Sequence, residues 1–133
     1  MSLEAAIHER WESWPALATL VPAERVVTGA ARGEMSLPYV VLVREQEATP
    51  VRTSSLTEVS ETMVRFEVRA VELDEGKTIA QAIRERFNRE GFALAAGTCL
   101  VMQRSSETEQ AASDGTWRVA VQYVARVAIS IAS

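Results

Sequence analysis

From Thr116 to Ile131 the chain alternates almost without a break. Trp117, Val119, Val121, Tyr123, Ala125, Val127, Ile129 and Ile131 hold the odd positions, and Arg118, Ala120, Gln122, Val124, Arg126, Ala128 and Ser130 the even ones. Successive side chains of a strand point to opposite sides, so this pattern predicts one apolar face and one small or polar face. A straight strand of roughly 15 residues spans about 50 Å. A compact chain of 133 residues has a radius of gyration of about 14 Å and is therefore about 36 Å across. The strand is too long for its own domain, and an overhanging apolar end needs a partner. The end carrying Val127, Ile129 and Ile131 is expected to be that overhang.

The same reading extends back along the chain. Leu3, Ile7, Trp11 and Trp14 fall on one face of a helix that Ser2 caps, that carries Glu4 in its first turn, and that Pro15 stops. Ala16–Val21 makes one short helical turn, closed by Pro22, and Arg25–Thr28 a short strand. After a loop with Gly29 and Gly33, Leu37–Val43 is a strand entered through Pro38 and apolar on both sides. It turns polar from Arg44, runs into the tip Ala48–Thr57 with Pro50, and returns as a second long strand over Glu58–Leu73. Val64, Phe66, Val68 and Ala70 form the inner face of that strand. Together the two strands predict a long hairpin whose distal half presents Arg44, Glu47, Arg52 and Glu58. Asp74 caps a helix to Glu90, with Ile79, Ile83 and Phe87 as its core stripe and Gly91 as its stop. At about 1.5 Å per residue this helix covers only about half of a 50 Å strand. Thr98–Arg104 is another strand, and Ser105–Gly115 a polar second tip. The sum is a single α+β domain over residues 1–133: an antiparallel sheet of four to five strands, two helices packed on one face, and a long protruding hairpin.

Charge and composition narrow the function. The net charge is −4 and Lys77 is the sole lysine, so no basic block exists to hold a phosphate backbone, and no nucleic-acid partner is expected. No apolar run approaches the roughly 20 residues of a membrane span, so no membrane partner is expected. Glu4, His8, Glu9 and Arg10 at the start do not suit a signal peptide, and Cys99 is alone, which fits a reducing cytoplasm. Gly76-Lys77-Thr78 ends like a phosphate-binding loop, but the glycine that motif needs five positions earlier is Val71, and Glu72, Asp74 and Glu75 would repel a phosphate. His8 has no sequence-defined catalytic partner, and Cys99 lies on an apolar strand as an inert thiol. No cofactor, metal site or enzymatic activity is expected. Trp117, next to an acidic loop, is either a core lid or an interface anchor. Arg118 and Arg126 are either solvated or paired with acids of a neighbouring subunit.

The order of the pieces resembles the tail-completion or tail-terminator (head–tail joining) proteins of long-tailed phages and prophages. Four stretches carry the resemblance: the opening helix LEAAIHERWESWPALATLV running into Ala23–Val27, the loop leading to Leu37-Pro38-Tyr39-Val40-Val41, Val64–Ala70 followed by EGKTIAQAIRERF, and the long final strand. The loop before Leu37 lacks an expected proline, and the final strand is longer than expected. The resemblance implies a ring, usually of six copies, that caps the tail tube and meets the head connector, made in the host cytoplasm and then carried in the virion. Such a ring has no cofactor and does no chemistry. Trp117, Arg118, Arg126, Val127, Ile129 and Ile131 are then candidates for the subunit interface, and Arg44, Glu47, Arg52 and Glu58 for contacts with tube or connector proteins. Two other readings stand beside it. One is a small-molecule-binding domain with Trp117, Tyr123, Phe66 and Met102 lining a pocket. The other is a small dimeric enzyme built around His8 or the acids Glu72–Glu75.

Overall fold

The long closing strand lies at the centre of a sheet, with an equally long neighbour on each side. A computed structural model of the chain describes residues 3–30, 35–47, 51–52, 57–94 and 97–130. Its elements are α1 (Leu3–Glu12), α2 (Pro15–Leu20), a 3-10 turn (Ala23–Arg25), β1 (Val26–Thr28), β2 (Tyr39–Glu47), β3 (Val51–Arg52), β4 (Thr57–Ala70), α3 (Leu73–Phe87), β5 (Phe92–Leu94), β6 (Gly97–Ala111) and β7 (Trp117–Ser130). The seven strands form one sheet in the order β1-β2-β4-β7-β6-β5, with β3 also paired to β4. β1 runs parallel to β2, and the other pairs are antiparallel. The α+β class is as expected. The sheet is mixed and larger than the four to five antiparallel strands predicted, and three α-helices replace two, because the turn after Pro15 is a helix in its own right.

β7 pairs with β4 from Trp117↔Ala70 to Ser130↔Thr57 and with β6 from Trp117↔Ala111 to Ala128↔Thr98. The expected overhang is therefore absent as far as Ser130. Its disappearance follows from β6, which does not stop at Arg104 but continues to Ala111. The second tip shrinks to a tight turn. There the Ala112 amide donates to the Thr116 carbonyl at 2.8 Å, and Asp114 Oδ1 accepts from the Thr116 amide and hydroxyl at 3.1 and 2.6 Å.

The predicted hairpin is also held more firmly than a free projection. β2 and β4 pair from Tyr39↔Arg69 to Glu47↔Thr62, and β3 then adds Val51↔Val59 and Arg52↔Glu58. The other side of β4 is backed by β7 over its whole length, Thr57–Thr62 included. Residues 48–50 and 53–56 of the expected tip, the capping Ser2 and the candidate Ile131 lie outside the described residues.

One face of the sheet carries the core. Val40 and Leu42, Val64, Phe66 and Val68, Val119, Val121, Tyr123, Ala125 and Val127, with Cys99 and Met102, meet Ile7, Trp11, Leu17, Ile79, Ile83 and Phe87 of the helices. Phe66 is the hub, with the rings of Phe87, Tyr123 and Trp11 at 5.3, 5.8 and 6.2 Å. Trp11 Nε1 donates to the Val21 carbonyl at 2.9 Å, so the polar end of the largest core side chain is satisfied by the chain that follows α2. Cys99 is fully buried, and burial pushes its thiol up to about 11, as an inert core cysteine requires.

α3 begins one residue before the predicted cap. Glu72 stands at its N-cap position without a side-chain cap bond, and the helix ends at Phe87 rather than Glu90. Arg89 takes a φ of 63°, its amide donates to the Met102 carbonyl, and the Met102 amide returns a bond to the Glu90 carbonyl. The chain is thus pulled off the helix onto the edge of β6. Gly91 is not the stop; a Cβ there would lie 2.5 Å from the Leu100 carbonyl oxygen, so the strand's close approach demands glycine.

Candidate assembly surfaces

Of the chemistry-bearing residues singled out in the sequence, Gly76, Lys77, Thr78 and His8 hold the fold together. A Cβ on Gly76 would come within 2.8 Å of Val119 Cγ2, so this glycine lets α3 sit close to β7. Lys77 Nζ pairs with Glu109 at 3.5 Å, and Thr78 Oγ1 donates to the Asp74 carbonyl at 2.9 Å. His8 Nε2 lies 2.9 Å from the Ala23 carbonyl and ties α1 to the 3-10 turn. No group of three or more metal-ligating side chains occurs among the described residues. Phe66, Met102 and Tyr123 are fully buried in the core, which deprives the expected ligand pocket of three of its four lining residues.

The other face of the sheet carries no helix among the described residues. Register places Val41, Glu67, Ala120 and Thr108 in one row across four strands, with Val43, Arg65 and Gln122 in the next. Arginines on this face find carboxylates within the chain, two of them sharing Glu67. Glu67 accepts from Arg65 at 2.9 Å and faces Arg118 at 3.4 Å, and Glu61 pairs with Arg126 at 2.9 Å. Arg118 and Arg126 thus find their carboxylates in their own subunit, on the neighbouring strand.

The remaining interface candidates separate. Val127 is 6% exposed and belongs to the core, Trp117 is half-buried at the sheet's end, and Ile129 stays 39% exposed. Arg44 is paired with Glu4 of α1, while Glu47 and Arg52 stand opposite Thr62 and Glu58 in the register. Arg52 and Glu58 are thus cross-strand partners, while Arg44 and Glu47 lie on the β2–β4 pair.

Sequence reasoning missed the outer edge of β6. β5 covers it only from Gly97 to Cys99. The turn after α3 then bonds Met102, and Asn88 Oδ1 accepts from the Arg104 amide at 3.2 Å. From Ser105 to Ala111 the edge has no strand partner among the described residues. The inner side chains of this half are held ionically by α3: Arg84 pairs with Glu107, and Lys77 with Glu109. The signal was present as alternation of charge, with acids two apart on the strand facing bases seven apart on the helix.

Tyr123 lies beneath this ionic cover. Its hydroxyl is buried with no hydrogen-bond partner among the described residues, and burial pushes its phenol up to about 12. Tyr123→Phe removes an unsatisfied polar group and should stabilise the protein by roughly 1 kcal/mol in urea unfolding at neutral pH. The native pKa lies above the ordinary 10.0, so the tyrosine's stability contribution is intact below that pH and is lost as pH rises toward about 12. The phenylalanine variant should lack that alkaline loss, which urea midpoints at neutral and alkaline pH will show.

Residues 5–128 match the family described as tail completion protein gp17. The chain belongs to this family. As a tail completion protein it is a structural assembly subunit of a phage-type tail. No curated protein matches the chain. Among solved structures, a chain from the virion of a native gene transfer agent particle is similar over 96% of this chain and 95% of that one, with a TM-score of 0.78 and 17% identity. At that identity the likeness establishes a shared fold. Among the described residues, the tail completion subunit offers a sheet face without a helix, the β6 edge and the end of β7 at Ile129 as surfaces outside its core. No described helix is long and apolar enough to cross a membrane.

Proposed function

We propose that this subunit is a tail terminator or head–tail joining protein that works as a closed ring of identical copies, six by the family resemblance, seated between tail tube and head connector. The unpaired edge of β6 from Ser105 to Ala111 supports this reading most directly. An unpaired edge presents a row of backbone donors and acceptors that a strand from a neighbour can complete. A contact between two different surfaces closes into a ring when successive copies are related by rotation. The exposed Ile129 at the end of β7 supplies the apolar part of that contact, and the β2–β4 hairpin from Arg44 to Glu61 reaches toward tube and connector. In this reading the protein acts by shape, and its charged residues orient subunits and carry out no reaction.

Native mass measured on the protein alone and after mixing with isolated tail tubes tests the proposal. A six-copy species in either sample is the expected result. Monomer alone in both would sink the ring.

A further inference from the structure

Two arginines on the helical side of the molecule form a cationic cleft beside the edge strand β5. Arg10 of α1 stacks on Phe92 of β5, its Cζ 4.8 Å from the ring centroid, and Arg86 of α3 stacks on Trp14 at 4.6 Å. Arg86 Nε donates to the Arg10 carbonyl and Nη2 to Ser13 Oγ, both at 3.2 Å, which fixes the fork of one guanidinium against the backbone of the other residue. Neither arginine has an ion pair among the described residues. The Nε of Arg10 is buried without an acceptor among the described residues. Burial, and next the Arg10 charge, hold Arg86 below the usual arginine range, while Glu90 pulls the other way. Between the two lies a cleft of about 250 Å³ lined by Ala6, Glu9, Arg10, Ser13, Arg86, Phe92 and Ala93.

Two like charges held side by side with an unfilled donor are costly unless an anion joins them. We infer that this cleft receives the carboxylate of an acidic side chain from an adjoining tail protein. Arg86 already spends its Nε and Nη2 within the chain, so the carboxylate is met by the guanidinium Nη donors that the aromatic stacking pre-orders. The walls of Ala6, Phe92 and Ala93 suit the methylene stem of a glutamate. A phosphate polymer is disfavoured relative to a single carboxylate, because repulsion from Glu9 in the lining and from the net charge of −4 grows with the charge of the anion brought in. The inference rests on the protein being an assembly subunit, but it does not depend on ring formation.

The test is a titration of the isolated full chain with N-acetyl-glutamate N-methylamide, followed by the arginine Nε–H resonances. The expected result is a saturable shift of Arg10 and Arg86 that exceeds the shift of Arg25 and Arg118, and about tenfold weaker binding in Arg10→Gln, the loss of one charge-assisted bond. No shift, or equal shifts of all arginines, overturns the inference. Inorganic phosphate binding more tightly than the glutamate probe at matched ionic strength also overturns it, since the cleft would then be a small-oxyanion site. If Arg10→Gln fails to fold, Arg10→Lys takes its place, because it keeps the charge and loses the fork. Native mass reports ring formation separately, so either reading can fail alone.

Discussion

Replacing Phe66 with alanine is expected to lower stability by about 3–5 kcal/mol, the usual loss when a fully buried phenylalanine leaves a cavity. Phe66 has no exposed surface and touches a ring from each of three elements: Trp11 of α1, Phe87 of α3 and Tyr123 of β7. Those three cannot collapse into the space together, because each is fixed from elsewhere. The Trp11 indole is tied to the Val21 carbonyl, and Phe87 closes the last turn of α3. A domain of this size has about 5–15 kcal/mol of stability in total, so the variant would be marginal. Urea unfolding followed by tryptophan fluorescence measures the effect. Val71→Ala, at a side chain 57% exposed, serves as the control and should change stability by less than about 0.5 kcal/mol. A Phe66→Ala loss below about 1.5 kcal/mol would show that the aromatic cluster is not the centre of the core.

The largest functional effect is expected from Ile129→Glu, which should leave the fold intact and abolish assembly. Ile129 is among the few large apolar side chains left exposed, and it lies at the end of the longest paired strand system. A carboxylate placed there inside an apolar contact must be desolvated without a partner, at a cost of several kcal/mol per site. In a ring that cost recurs at every interface. The register puts Ile129 opposite Glu58, so the new charge also faces a like one, worth about 0.2–1 kcal/mol. Ile129→Gln separates the two effects, since it is polar without repelling Glu58. Both variants should unfold close to the parent in urea, and both should lose the multimeric species in native mass. If Ile129→Glu folds and assembles normally, the end of β7 is not the interface.

What the sequence disclosed and what it concealed have the same cause. Where an element buries an apolar stripe, its period is visible: the inner faces of β4 and β7, the Leu3–Ile7–Trp11 stripe and the Ile79–Ile83–Phe87 stripe all stand where the pattern put them. The second half of β6 buries no such stripe. Its inner residues meet a basic helix flank and its outer residues meet solvent, so both faces are polar and the segment reads as loop. With β6 shortened, β7 had to be read as overhanging, because the length argument left out the partner that the second half of β6 provides. β5 is three residues long and leaves no period to detect. For the site residues, alternation showed that Arg118 and Arg126 share a face, but it could not show that Glu67 and Glu61 of β4 stand beside them, because strand order and register are tertiary facts. The overhang expected of β7, the absence of a recognisable catalytic motif and the family resemblance pointed to an assembly role; the overhang does not occur as far as Ser130, and family membership supports the role.

The unbroken register between β4 and β7 has a mechanical consequence. Fourteen successive residue pairs, from Thr57↔Ser130 to Ala70↔Trp117, run without the irregularities that interrupt β2–β4 and β6–β7. A force that slides these two strands past each other along their length stretches all of their ladder bonds at once. A force that peels them apart at one end meets those bonds singly. The protein is therefore stiff to shear along the strand axis and compliant to peeling at the sheet edges, so a tail joint built from it transmits axial load best when the strands lie along the direction of pull.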